Sequence, residues 1–114
     1  MVGGLPVREA IEYARAAEEA GVGSFWVHET YGLRDALSYL TAAALVTNRI
    51  ELGAGCVNGF TRSAALMAMS SVALQELAGG RFRLGIGTAS LASSLVVVLG
   101  RLEHRLAWRD LRRA

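Results

Sequence analysis

Two features of the chain predict an α/β fold with parallel strands. Helix-like and strand-like segments alternate along it, and each strand is separated from the next by a single helix of ordinary length, the spacing of right-handed crossovers. The composition, 53% hydrophobic and 19% charged over 114 residues, is that of one densely packed globular domain.

The elements follow in order. Val7, Ala10, Ile11, Ala14 and Ala17 recur at helical spacing opposite Arg8, Glu9, Glu12, Arg15, Glu18 and Glu19, and Gly21 stands where a helix stops. SFWVHE (Ser24 to Glu29) is short, aromatic and β-branched, a buried strand. Asp35 caps a second predicted helix with Leu37, Leu40, Ala44 and Leu45 inward. RIELGAGCV (Arg49 to Val57) is the next strand. Ser63 caps a third helix with Leu66, Met67, Ser70, Ala73, Leu74 and Leu77 inward, ended by Gly79-Gly80, and RFRLGIG (Arg81 to Gly87) is the third strand. Before the first helix only MVGGLP remains, so a leading strand is expected to be missing. Beyond Gly87, Leu95, Leu99, Leu102 and Leu106 share one helical face, and an amphipathic, solvated surface helix is expected.

Charge and cysteine content exclude several function classes. All 12 basic residues are arginine, seven of them in residues 1–100 against eight acids, and five in 101–114 against Glu103 and Asp110. The basic balance therefore belongs to the tail and does not mark a nucleic-acid-binding face. A single cysteine, Cys56, permits no intrachain disulfide and fits a reducing compartment; with two histidines beside it, no metal-ligand cluster is expected. No unbroken apolar run, Leu95 to Leu99 and the six residues Ala64 to Met69 included, is long enough for a membrane span, and no leader is expected. A cytoplasmic protein without membrane or nucleic-acid partners is expected.

Ligands of parallel α/β folds bind at the carboxyl ends of the strands. Three such ends are expected on one rim: His28-Glu29-Thr30-Tyr31, Gly55-Cys56-Val57-Asn58 and Gly87-Thr88-Ala89-Ser90. Glu29 can hydrogen-bond a cofactor or orient a neighbour, and His28 can move protons. Side chains alternate along a strand, so the two do not both face one site. Gly53 and Gly55 suit a bulge or the close approach of a flat ligand; Asn58 offers donor and acceptor; Arg62 suits an anion or a structural pair. Cys56 is expected as an inert small hydrophobe rather than a nucleophile. GIGTAS matches the dinucleotide fingerprint with Ser90 at the last small position, an unspecific match whose acidic partner would fall near Asp110. It leaves an NAD(P)-binding doubly wound domain as one alternative.

The combined pattern ETY-x-x-RDA, LGAG-x-VN-x-FTR and LAGGRF-x-LGIGT, from about Pro6 to Ser90, resembles the luciferase-like monooxygenase superfamily. Within it the sequence is similar to the deazaflavin-dependent branch that includes methylenetetrahydromethanopterin reductase. The resemblance implies a (β/α)8 barrel of which the chain holds about the first half in residues 1–90, followed by a divergent arginine-rich tail in 91–114. It implies an oxidoreductase moving a hydride, or oxygenating, a small organic substrate with coenzyme F420 or, in other branches, FMN. Glu29 and Thr30 would serve as catalytic residues, and Gly55, Cys56, Val57, Asn58, Arg62 and Gly87 would bind the cofactor. It further implies a bulge with a non-prolyl cis peptide within Gly55 to Asn58, backing the cofactor ring.

Gly59, Ser63 and Ala64 stand where the family often has Pro, His and Pro, which loosens that loop. A premature stop, a frameshift or a diverged short paralogue is expected from the loss of the pattern after Ser90. Open barrel edges call for a second copy, so a homo-oligomer is expected, with a non-catalytic self-associating remnant as the other alternative. The chain on its own is expected to bind cofactor weakly or not at all.

Overall fold

The structure, a computed structural model, describes residues 4–29 and 33–87. The order is α1 (Val7–Glu19), β1 (Ser24–Val27), α2 (Ala36–Val46), β2 (Glu51–Asn58), α3 (Ala64–Leu77) and β3 (Phe82–Gly87). The three strands form one sheet in the order β1-β2-β3, and both pairings are parallel. All three carboxyl ends therefore lie on one rim. The predicted tail of residues 91–114 and the predicted third loop from Thr88 lie outside the described residues.

Local chemistry sets the helix ends. α1 closes with the Gly21 N–H on Glu18 O at 3.1 Å and the Val22 N–H on Ala17 O at 2.9 Å, with Gly21 at φ +81°. That paired pattern needs a left-handed residue just past the helix, which glycine adopts without a Cβ penalty. α3 ends the same way, with Gly79 N–H on Glu76 O and Gly80 N–H on Gln75 O. Asp35 and Ser63 cap α2 and α3 as expected, accepting from the N–H groups of Ser38 (2.9 Å) and Leu66 (3.1 Å).

The core lies between the helix layer and one face of the sheet. Phe25, Val27, Leu52, Ala54, Val57 and Phe82 of the strands meet Ala10, Ala14, Leu37, Tyr39, Leu40, Met67 and Leu74 of the helices. Leu45 and Leu66, expected inward, are 71% and 50% exposed, and Leu77 and Ala73 are also exposed. The reason lies in composition. α2 has no charged residue and α3 only Glu76, so apolar residues ring both helices while the sheet covers one side of each.

Two contacts fasten the amino end of the sheet. The Glu18 carboxylate accepts the successive N–H groups of Asn48, Arg49 and Ile50, at 2.8–3.0 Å, tying α1 to the lead-in of β2. These backbone donors, Ile50 and Arg49 foremost, hold its pKa at about 2. The Arg81 guanidinium donates to Ala78 O (2.8 Å), Ile50 O (2.9 Å), Thr47 O (3.1 Å) and Thr47 Oγ1 (3.0 Å), joining the carboxyl ends of α2 and α3. A cation there also meets the negative ends of two helix dipoles. No helix among the described residues is long and apolar enough to cross a membrane.

Candidate functional site

The middle strand breaks its own alternation at the carboxyl end. Leu52 pairs with Phe82, Ala54 with Leu84 and Val57 with Ile86, so β2 spends one more residue than β3 between Ala54 and Val57. This bulge reverses the side-chain parity: Val57 enters the core fully buried, and Cys56, which unbroken alternation would send there, is only half-buried. The Gly55–Cys56 peptide bond is cis, within the segment where the family resemblance places one.

The bulge expected of these glycines is present, and the Trp26 side chain adds a second cause. Neither Gly53 nor Gly55 has a positive φ. A Cβ at Gly53 would stand 2.2 Å from the Trp26 indole, and one at Gly55 would stand 3.1 Å from it. The Trp26 indole of β1 thus occupies the side of these glycines on which a Cβ would stand. Gly85 is similarly accounted for, since a Cβ there would meet Ala54 O at 2.4 Å.

Beside the bulge sits a cluster of charges drawn from two loops. Glu29 follows β1, Asp35 caps α2, and Arg62 precedes α3. Arg62 donates to Glu29 through Nη1–Oε1 at 2.9 Å and Nη2–Oε2 at 2.8 Å, and its Nη2 also donates to Asp35 Oδ1. The fork-to-carboxylate geometry is the strong, orientation-specific kind, and the Arg62 and Glu29 side chains are only 11% and 9% exposed. Glu29 also accepts from two backbone donors, Ala36 N–H on Oε2 (3.1 Å) and Asn58 N–H on Oε1 (3.4 Å), while its own N–H donates to Cys56 O. Hydrogen bonding from Arg62 to Glu29 raises the arginine's pKa against the opposing effect of burial, with Asp35 adding to it. For Asp35 burial pushes the carboxyl up, but the Ser38 hydroxyl and N–H, with the Arg62 charge, outweigh it and leave the group below its ordinary value.

Of the residues expected at the site, the structure brings together Glu29, Gly55, Cys56, Val57, Asn58, Arg62 and Gly87. Asn58 pairs with Gly87, whose carbonyl accepts from Gly59 N–H at 3.1 Å. Thr30 lies outside the described residues. Asp35, read from sequence as a cap alone, joins the charge cluster as well; no local pattern signals a partner 27 residues away. Trp26 was not singled out either, and its only local signal is its position one residue before the buried Val27.

Among the described residues, two buried polar atoms on this rim lack a hydrogen-bond partner: Asn58 Nδ2, on a residue 3% exposed, and His28 Nδ1. Asn58 Oδ1 by contrast accepts from Phe60 N–H at 2.8 Å. An unpaired buried donor costs free energy unless something meets it. Polar groups left over beside a bulged strand end, the Asn58 amide donor among them, fit the polar edge of a flavin or deazaflavin ring. Among the described residues no group of three His, Cys, Asp or Glu side chains could hold a metal ion.

Comparison with known proteins gives the family and the fold. A family model described as luciferase-like monooxygenase matches residues 1–112. A 5,10-methylenetetrahydromethanopterin reductase of Methanolobus tindarius is 42% identical over 88 residues, covering 77% of this chain and 27% of the reductase. The coenzyme F420-dependent tetrahydromethanopterin reductase of Methanopyrus kandleri superposes with a TM-score of 0.75 at 27% identity, over 82% of this chain and 27% of that one. The oxygenating constituent of 3,6-diketocamphane monooxygenase from Pseudomonas putida, solved in complex with FMN, shares the fold. Its TM-score is 0.75 at 22% identity, over 85% of this chain and 29% of its own. The chain spans about a quarter of the length of the curated relatives it matches.

Proposed function

Because the chain belongs to the luciferase-like monooxygenase family, a family of flavin- and F420-dependent oxidoreductases, we propose that its carboxyl rim forms the ring-backing wall of a deazaflavin site. The observation that carries this is the β2 bulge beside the unpartnered Asn58 Nδ2. Gly55 to Asn58 would back the ring, and Asn58 and His28 would meet its polar edge. When bound, coenzyme F420 supplies hydride-transfer chemistry toward a small organic substrate. FMN is the alternative cofactor.

The residues of this chain bind and orient. Both carboxylate oxygens of Glu29 are already engaged by Arg62 and by backbone N–H groups, so Glu29 serves the site by holding the rim together. The described residues hold three strands and so one wall of the pocket, and the 114-residue chain binds the cofactor weakly. Titration of the purified chain with F420, and separately with FMN, tests this. A dissociation constant weaker than about 100 μM, which is about −5.5 kcal/mol, is expected. Low-micromolar binding by the monomer contradicts it.

One observation favours a second reading, a non-catalytic module that self-associates. Leu45 and Leu77 line an open groove of about 580 Å³ between α2 and α3, on helices with a single charged residue between them. An outer helix face with little charge, here only Asp35 at its edge and Glu76 on α3, is what a self-complementary contact uses. Light scattering decides this point, since a monomer across the accessible concentration range removes the second reading.

A further inference from the structure

We propose that Arg62 is a positioning residue for the bulged strand end, acting through Glu29, and that it does not take an anionic group of the cofactor. The inference deepens the cofactor reading above and rests on that reading only for its ligand arm. The geometry is the starting point. Arg62 stands on the β2–α3 loop and Glu29 on the β1–α2 loop, and the fork between them is nearly sealed from water. Glu29 in turn holds the Asn58 N–H at the end of the bulge and the Ala36 N–H at the start of α2. One guanidinium thereby sets the separation of two loops and the place of the Asn58 backbone, and so where the unpartnered Asn58 Nδ2 is presented.

Electrostatics separates this role from direct anion binding. Arg62 faces two carboxylates, Glu29 and Asp35, so the cluster carries a net charge of −1 when all three are ionised. A phosphate approaching it meets net repulsion, and to gain Arg62 it would have to displace a buried, bidentate carboxylate. A mobile arginine beside a strand end would suit an anion; this one is already spent.

Amide hydrogen exchange of the full 114-residue chain, without ligand, reads the positioning directly. In Arg62→Met the Ala36 and Asn58 amides should exchange at least about tenfold faster, while α1 amides such as Ala14 keep their wild-type rates. Glu29→Gln should give the same local pattern, and adding Arg62→Met to it should change nothing further. Should Arg62→Met accelerate every amide together, Arg62→Lys takes its place: one ammonium cannot span both oxygens of Glu29, so acceleration confined to Ala36 and Asn58 is expected again. Wild-type exchange at those two amides in the variants overturns the proposal.

The ligand arm compares FMN with riboflavin, which lacks the phosphate. Arg62→Met should weaken both by the same factor, whereas a loss confined to FMN assigns Arg62 to the phosphate and overturns the second half of the proposal. If the wild-type chain binds neither flavin nor F420, the cofactor reading fails while the exchange result still decides the positioning role.

Discussion

The indole of Trp26 occupies the space over Gly53, so close that a single methyl at Gly53 would stand 2.2 Å from the ring. Trp26 and Gly53 are partners in the β1–β2 register, so the contact is made directly across the pair. Gly53→Ala should cost about 1–3 kcal/mol, the usual range for overpacking, read as a lower urea midpoint. Trp26→Leu in the same chain should reduce that cost, because a smaller side chain vacates the clash. Equal costs in both backgrounds would show that the glycine is needed for another reason.

Arg81→Met should destabilise the fold by about 2–4 kcal/mol, since it strips donors from the carbonyls of Thr47, Ile50 and Ala78 at once. The effect belongs to the amino end of the sheet. Chemical denaturation should show it, while the amide exchange rates of Asn58 and Ala36 relative to global opening stay as they were.

Glu18 gives the chain a pH dependence of definite sign. Its folded pKa is lowered from 4.5 to about 2, so its contribution is fully present above about pH 4.5 and disappears as pH falls toward 2. Glu18→Gln should flatten the stability profile across that acid window and leave the slope between pH 6 and 8 unchanged. A variant whose acid limb matches wild type would place the titration elsewhere.

Much of the framework was legible locally. Helix caps at Asp35 and Ser63, stops at Gly21 and Gly79, and the alternation of elements all rest on neighbours a few residues apart, where pattern and structure share one cause. Gly53 and Gly55 admitted a bulge, but its place came only through family resemblance, because a two-residue period says nothing of a skipped position until the partner strand is known. Glu29–Arg62, Trp26–Gly53 and Arg81 with Thr47 pair residues 27 to 34 positions apart, and no periodicity encodes such contacts. The faces of α2 and α3 were ambiguous for a physical reason: helices apolar on all sides do not announce which side the sheet will cover.

Whether the carboxyl rim beside the β2 bulge is a deazaflavin wall can be read from backbone NMR shifts of the 114-residue chain titrated with coenzyme F420. Weak, saturable perturbations concentrated at the amides of His28, Glu29 and Gly55 to Asn58 are expected, with α1 amides unmoved. Shifts concentrated in the groove between α2 and α3, or none at any amide up to millimolar cofactor, would contradict it.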